Sequence, residues 1–270
     1  MNINFLGMKI SKVLICIICV ALSMLSCSQG QSHYYYECET PSSINDFLCC
    51  HEGVLISGHR GGNLVGYPEN CIETFDKILD RTTTGTGLVK DYTYDELQSF
   101  NLVDRWGNIT SFKIPSVEDV VIWSKDKVIL NFDIKDVTRD VLVPLVWSLG
   151  AVNCMYTVRN TVEALEVYRL DQDARMLAWI RNLDEFNAYA NSGIPWETIP
   201  MAYVVSDVMT ADNHQLYLVL RANGVRCMFS TALRQDKLPT STDRLVAFEE
   251  VLKTGLDVVG SDFPTEFVRL

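Results

Sequence analysis

From residue 51 onward, short apolar runs alternate with segments whose apolar residues recur at helical spacing. Short runs bounded by polar or glycine residues indicate buried strands, and the segments between them indicate amphipathic helices. This alternation is typical of a parallel sheet with crossover helices. The seven predicted strands are Val54–His59, Val128–Ile134, Asn153–Val158, Arg175–Ile180, Ile199–Val205, Val225–Thr231 and Asp257–Asp262.

Polar residues mark the starts of two of the helices between these strands. Asn160 and Glu163 stand three residues apart before an apolar run, and Asn182 and Glu185 repeat that spacing. Each pair predicts a capping box, in which each residue's side chain accepts a hydrogen bond from the backbone of the other. We assign these caps a structural role only.

Seven strand–helix units fit two α/β architectures. The first is a (β/α)8 barrel, whose active sites lie at the carboxyl ends of the strands. The second is an open, doubly wound sheet, but no G-x-G-x-x-G motif follows the first strand to support dinucleotide binding. The barrel is therefore the favoured fold.

The amino-terminal segment has a different pattern. Lys9 and Lys12 precede an apolar run, Val13–Leu25, that is too short to span a bilayer comfortably. Ser26 before Cys27 resembles the bacterial lipoprotein processing signal, in which the cysteine becomes the first residue and carries lipid. An ordinary secretory signal is the alternative.

These features predict three regions: a lipoprotein signal peptide at residues 1–26, a tether at 27–50 and one barrel domain at 51–270. The expected location is the bacterial cell envelope, with the exported protein anchored to a membrane through lipid on Cys27. The composition agrees with one globular domain, since 48% of the 270 residues are hydrophobic and 21% are charged.

The net charge excludes one class of partner. It is −11, and becomes −13 if residues 1–26 are removed, because that segment contains Lys9, Lys12 and no acidic residue. An acidic chain without interleaved basic and aromatic residues is not expected to bind nucleic acid. A small anionic substrate would need a metal ion or individual arginine and lysine side chains.

Cysteine positions predict no zinc site. Cys154 and Cys227 lie in apolar runs and are expected to be buried thiols. Export would permit a disulfide between Cys38 and either Cys49 or Cys50.

Candidate chemistry begins at the end of the first strand, in "SGHRGG" at residues 57–62. His59 offers proton transfer near neutral pH, and Arg60 offers a two-pronged phosphate contact. At the end of the next predicted strand, Asp133 and Lys135 are two residues apart and therefore share a face. Trp179, near the end of the predicted strand Arg175–Ile180, could line the pocket or fill the core, and the core is favoured.

The stretch "HRGG…PENCIETF" resembles the opening signature of the glycerophosphodiester phosphodiesterase family. Four further segments agree in order: "LDRTTTGTGLVKDYTYDEL", "IPSVEDVV", "ILNFDIK" and "DVVGSDFP". The match runs from about residue 54 to the carboxyl terminus and implies a (β/α)8 barrel. It also implies cleavage of a small phosphodiester to glycerol 3-phosphate and an alcohol, with the substrate's own glycerol hydroxyl attacking phosphorus.

The resemblance implies roles for individual residues. His59 would be one of two acid/base histidines, and Arg60 and Lys135 would contact phosphate. Asp133 would be one of three carboxylates that bind a divalent cation, Ca²⁺ or Mg²⁺, although it could instead simply pair with Lys135. Glu69 would contact substrate, although its segment could equally serve to cap the following helix.

One part of the family pattern is absent. The family has a second strand bearing an E-x-D pair, followed by His-Asp before the "LDRTT" loop, whereas this chain passes directly from "FDKI" to "LDRTT". The barrel is thus expected to lack its second strand, and cation binding to be weak. Either the barrel contracts to seven strands, or part of residues 85–115, such as "ITSFKI", fills the gap. Of the other histidines, only His214 could approach the site.

Three hypotheses follow. The chain is an exported glycerophosphodiester phosphodiesterase-like hydrolase with impaired activity, or it is a catalytically degenerate lipoprotein that binds a phosphorylated ligand through Arg60 and Lys135. Alternatively, the junction of Ile78 and Leu79 records a deletion or a faulty gene model.

Overall fold

The computed structural model describes residues 15–17, 44, 54–59, 83–87, 89–104, 106–125, 127–135, 137–205 and 211–270. Its centre is one parallel sheet in the order β1-β2-β8-β7-β6-β5-β4-β3. Each of the seven predicted strand ranges contains one of the strands β2 to β8, so those predictions are confirmed. The strands are β1 Ile15–Ile17, β2 Leu55–Gly58, β3 Leu130–Phe132, β4 Cys154–Val158, β5 Arg175–Trp179, β6 Met201–Val205, β7 Arg226–Ser230 and β8 Val258–Ser261.

Apart from the three-residue β1, seven strands form a curled, barrel-like sheet. It is one strand short of a (β/α)8 barrel, as the sequence predicted, and within the described residues β2 and β3 do not pair across the gap. The α-helices in this part of the chain are α1 Tyr94–Leu97, α2 Val117–Ser124, α3 Arg139–Ser148, α4 Thr161–Leu170, α5 Leu183–Ala190, α6 Ala211–Ala222 and α7 Ser241–Leu252. Short 3₁₀ helices cover Val89–Asp91, Trp196–Thr198, Gln235–Lys237 and Pro264–Arg269.

The starts of α4 and α5 differ in one detail from the predicted capping boxes. The Asn160 side chain accepts from the Glu163 amide at 3.0 Å, as predicted, but the Glu163 carboxylate accepts from the amide of Arg159 at 2.9 Å. Glu185 likewise accepts from the amide of Arg181, at 2.6 Å. The glutamate therefore accepts from the residue before the predicted one, and this bond fixes the backbone of the arginine that lies just beyond the preceding strand.

The two faces of the sheet bury different sets of residues. The outer face packs against the helices, and the inner face forms a smaller cluster in which alternate strand residues meet. Cys154 and Cys227 are buried thiols, as predicted, and burial raises the pKa of each to about 12. The strand residues of the inner cluster are Leu55, Met155, Leu177, Met201, Met228 and Val258, joined by Ile129 just before β3.

Residues 85–115 do not provide the missing strand in the described structure, so that alternative is wrong. The segment "ITSFKI" instead folds back on its own neighbours: Val103 forms an antiparallel bridge with Ile109. Ile114 is buried with Leu97 and Leu102 in a separate small cluster, while Ile109 is 65% exposed. Local pairing of this kind closes a much shorter loop than insertion into the sheet would require, which lowers its entropic cost.

The strand β1 lies inside the predicted signal peptide. Its residues pair in parallel with Ile56, Ser57 and Gly58 of β2. Cleavage before Cys27 and the three predicted regions stay predictions, since residues 18–43 lie outside the described part of the chain. Among the described residues, none of the helices is long and apolar enough to cross a membrane.

Candidate active site

The candidate site lies at the carboxyl ends of the strands. Side chains along a strand alternate between faces, so residues four places beyond an inner core residue lie on the inner side, nearer to the strand end. In a barrel, this end is where active sites form. The ionisable residues reached in this way are His59, Asp133, Arg159, Arg181 and Asp262, after β2, β3, β4, β5 and β8.

His59 is hydrogen-bonded to Asp262. The His59 Nδ1 and Asp262 Oδ1 atoms are 2.6 Å apart, although 203 residues separate them in sequence. They meet because β2 and β8 are neighbours, with Gly58 in register with Ser261. An ionised carboxylate only accepts hydrogen bonds, so Nδ1 carries the hydrogen and Nε2 is the basic nitrogen. The pair therefore provides an oriented imidazole that can take up and return a proton.

Asp236 fixes the backbone beneath this pair. Its Oδ2 accepts from the amide of Asp262 at 2.6 Å, and its Oδ1 accepts from the hydroxyls of Thr231 at 2.7 Å and Ser261 at 2.9 Å. Burial raises the pKa of Asp236, and the three hydrogen bonds oppose that rise. The carboxylate that orients His59 is thus attached to a fixed strand end.

A buried ion pair anchors the segment that follows Asp262. Arg244 on α7 donates to Glu266 through Nε at 2.9 Å and Nη2 at 2.5 Å, and each of the two side chains is only 11% exposed. The Arg244 guanidinium also lies 3.9 Å above the ring of Phe263. Hydrogen bonding to Glu266 raises the pKa of Arg244, despite the opposing effect of burial.

Asp133 joins two cations on the opposite side of the mouth. Lys135 Nζ is 2.5 Å from Asp133 Oδ2, and Arg159 Nη2 is 2.6 Å from Asp133 Oδ1. Both carboxylate oxygens are therefore hydrogen-bonded to positively charged groups. The predicted pairing of Asp133 with Lys135 is present, and Arg159 extends it.

Trp179 lies between the core and the mouth. Its ring packs on the inner cluster and stands 5.5 Å from the ring of Tyr203. The guanidinium carbons of Arg159 and Arg181 lie 5.9 Å and 5.5 Å from the Trp179 ring centre. Trp179 thus packs against the core, as the favoured prediction held, and its ring also contacts the two arginines. Its role in lining a pocket stays a prediction.

The described residues do not fit a divalent cation. They contain no group of three histidine, cysteine, aspartate or glutamate side chains that could hold one. Hard cations such as Ca²⁺ and Mg²⁺ need several oxygen ligands, and both oxygens of Asp133 already contact cationic side chains. A cation site at Asp133 stays a prediction from family resemblance.

Some predicted site residues lie outside the described structure, and one lies away from the site. Arg60 and Glu69 lie outside the described residues, as does Cys27, and their roles stay predictions. His214 is exposed on α6, on the outer side of the sheet.

The sequence motifs did not indicate Asp262, Arg159 or Asp236 as site residues. The first two could have been found by applying the strand-end rule to every predicted strand, because each lies at a strand end or directly follows one. Asp236 gave no such signal, since it lies on the 3₁₀ helix Gln235–Lys237.

Solved structures resemble the chain over most of its length. A glycerophosphoryl diester phosphodiesterase from Parabacteroides distasonis ATCC 8503 is 34% identical with a TM-score of 0.78, and the match covers 84% of this chain and 90% of that chain. A glycerophosphodiester phosphodiesterase from Agrobacterium tumefaciens str. C58 is 16% identical with a TM-score of 0.57, covering 80% of this chain and 97% of that chain. The second likeness shows the fold alone. A scan against protein-family models found no match, and neither did a search of curated proteins.

The first of these matches decides the kinship, because 34% identity extends over 90% of the related chain. It agrees with the barrel-like sheet and with the motif that begins at His59. The chain therefore belongs to the glycerophosphoryl diester phosphodiesterase family of phosphoric diester hydrolases.

Proposed function

We propose that this chain hydrolyses a glycerophosphodiester to glycerol 3-phosphate and an alcohol, at a low rate. The observation that supports the proposal is the 2.6 Å hydrogen bond between His59 and Asp262 at the mouth of the barrel. The same mouth presents Lys135 and Arg159. A proton-transfer group that faces fixed cations across the mouth suits a phosphodiester, whose transition state gains negative charge on oxygen.

In the proposed reaction His59 carries the proton in both directions. Nε2 accepts the proton of the substrate's glycerol hydroxyl as that oxygen bonds to phosphorus, and the imidazolium returns a proton to the alcohol oxygen as its bond to phosphorus breaks. Water then opens the cyclic phosphate by the same exchange, which leaves glycerol 3-phosphate. Asp262 keeps the ring oriented and stabilises its charged form.

A low rate is expected because the sequence lacks the E-x-D pair and the second histidine that the family resemblance implies. One imidazole must then serve as both base and acid. Since each acid/base group contributes about 10²- to 10⁴-fold, turnover should be slower than in an intact relative by at least about 10²-fold.

The test is an assay of the purified protein with glycerophosphocholine, in Ca²⁺, in Mg²⁺ and in EDTA. The His59→Ala variant should abolish release of glycerol 3-phosphate. The matched control is His214→Ala, an exposed histidine on α6, which should leave turnover unchanged. Turnover that survives His59→Ala would refute the proposed role of this residue.

A second candidate function is binding of a phosphorylated ligand without turnover. It is favoured by the cations at Asp133, which can hold a phosphate without any proton-transfer group. In that case glycerol 3-phosphate would bind the wild type and His59→Ala equally, and neither protein would release product from glycerophosphocholine.

We further propose that the protein is an exported lipoprotein that carries lipid on Cys27. The support is the sequence pattern "MLSC" after an apolar run. Mass spectrometry of the membrane fraction should find a lipid-modified Cys27, and Cys27→Ser should prevent the modification. Cleavage at another site, with release from the membrane fraction, would favour the ordinary secretory signal.

A further inference from the structure

We infer that Asp133 positions Lys135 and Arg159, and that these two cations form a phosphate-binding site that needs no divalent metal ion. The inference rests on the proposed function only in taking a phosphate ester as the ligand. It assigns Asp133 a role different from the metal ligand that family resemblance implies, and it assigns Arg159 a role that the sequence motifs do not.

Arg159 is held by several groups on different elements. Its Nη2 is 2.6 Å from Asp133, and its guanidinium nitrogens lie 3.4 Å and 3.5 Å from the carbonyl oxygen of Ile134. The guanidinium also lies over the ring of Trp179, and its own amide is bonded to Glu163. A side chain held in this way has lost much of its conformational freedom before a ligand arrives, which lowers the cost of binding.

The charges in direct contact with Asp133 favour an anion, because this one carboxylate stands between two cations and leaves one positive charge in excess. Beyond these three side chains, Glu163 is 3.8 Å from Arg159 and 2.7 Å from Arg139, which also contacts Glu166 at 3.1 Å. The positive excess is therefore confined to Asp133, Lys135 and Arg159. The planar guanidinium can form paired hydrogen bonds to phosphate oxygens, and the Lys135 ammonium adds a point charge.

The same contacts oppose a metal ion at Asp133. A divalent cation would have to displace Lys135 Nζ at 2.5 Å or Arg159 Nη2 at 2.6 Å, and would then lie close to the positive charge of both. Repulsion between like charges at such distances is substantial away from bulk water. The site therefore already holds, as covalently attached side chains, the positive charge that a metal would supply.

The experiment is calorimetric titration of the full-length protein with glycerol 3-phosphate, once in EDTA and once in Ca²⁺. We expect the wild-type dissociation constant to be the same in both. Arg159→Gln and Lys135→Gln should each weaken binding by about tenfold, because each removes a charged hydrogen-bond donor. The matched control, Arg169→Gln, removes an exposed arginine from the far end of α4 and should change nothing. Thermal unfolding checks that each variant is folded.

Asp133→Asn separates positioning from simple electrostatics. If Asp133 only adds negative charge to the site, its removal should tighten binding of the anion. If it positions the two cations, its removal should weaken binding in EDTA, which is the result we expect.

Three results would overturn the inference: no binding in EDTA, binding that appears only with Ca²⁺, or tighter binding by Asp133→Asn. The proposed hydrolysis is measured separately, by release of product from glycerophosphocholine. Binding without turnover would leave this inference standing while the hydrolase proposal failed. Calcium-dependent turnover without binding in EDTA would support the hydrolase proposal and overturn this inference.

Discussion

The two sides of the barrel mouth place a carboxylate in different surroundings. Beside β2 and β8, Asp262 contacts an imidazole, His59, and its backbone is fixed by the buried Asp236. Beside β3 and β4, Asp133 contacts the ammonium group of Lys135 and the guanidinium group of Arg159. The first arrangement suits proton transfer and the second suits binding of negative charge. The two carboxylates occupy similar strand-end positions, but the side chains supplied by neighbouring strands give them different chemical roles.

The largest effect is expected from Glu266→Ala, which breaks the support behind Asp262. It leaves Arg244 charged and buried without its partner, so we expect the free energy of unfolding to fall by about 3–5 kcal/mol. Urea unfolding measures the change. The matched control is Glu250→Ala, which removes the acid of an exposed pair with Lys253 and should have little effect. Equal losses in the two variants would contradict the anchoring role of Glu266.

Asp262→Asn should have the largest effect on catalysis. An amide oriented towards Nδ1 favours the wrong imidazole tautomer, so we expect kcat for glycerophosphocholine to fall by about 10²-fold. Nitrogen NMR shifts of His59 should report the change of tautomer independently of turnover. Asp257→Asn, at the opposite end of β8, is the control and should leave the tautomer unchanged. An unaltered tautomer in Asp262→Asn would contradict the assigned hydrogen bond.

Asp236→Asn tests the buried acid behind the imidazole through the pH dependence of stability. Burial raises the pKa of Asp236 above its ordinary value of 3.8, so the folded state retains this proton more strongly than the unfolded state does. The wild type should therefore lose stability relative to Asp236→Asn as the pH rises from 3.8 through the raised pKa. Urea unfolding at several pH values from about 3.5 to about 7 measures this change, and a parallel pH dependence of the two proteins would refute it.

The smallest expected effect is the change in the free energy of unfolding caused by Asp133→Asn. The pair of Asp133 with Lys135 is partly exposed, and ion pairs of that kind contribute less than about 1 kcal/mol. Urea unfolding should therefore distinguish Asp133→Asn clearly from Glu266→Ala. A loss as large as that of Glu266→Ala would mean that Asp133 supports the fold as much as it supports the site.

The strands of the sheet were predictable because a buried parallel strand requires a short apolar run in the sequence. The run Val225–Thr231 contains β7, and the run Asn153–Val158 contains β4, because strands covered on both faces have a largely apolar centre. The fate of "ITSFKI" was less predictable. Its apolar residues satisfy a strand pattern equally well in the sheet or in the local cluster around Leu102, and only the cost of chain closure separates the two.

At the site, adjacency in sequence was predictable and adjacency in space was not. Asp133 and Lys135 share a face by the geometry of one strand, so their pairing could be anticipated. The contact of His59 with Asp262 depends on β2 lying beside β8. The predicted barrel brings its first and last strands together, but no local pattern indicates that these two side chains meet there. Whether a segment is truly deleted at the junction of Ile78 and Leu79 stays a prediction, which sequencing of the encoding DNA would test.

The short strand β1 lies in the predicted signal peptide, so the proposed export would affect the edge of the sheet. If a signal peptidase removes residues 1–26, Ile15–Ile17 depart with them, and within the described residues Leu55–Gly58 then becomes the border of the sheet. Backbone amides and carbonyls along that border would face outward, where a strand from another chain could add to them. Removal of residues 1–26 would thus expose an edge strand beside His59, at which oligomerisation or aggregation could occur.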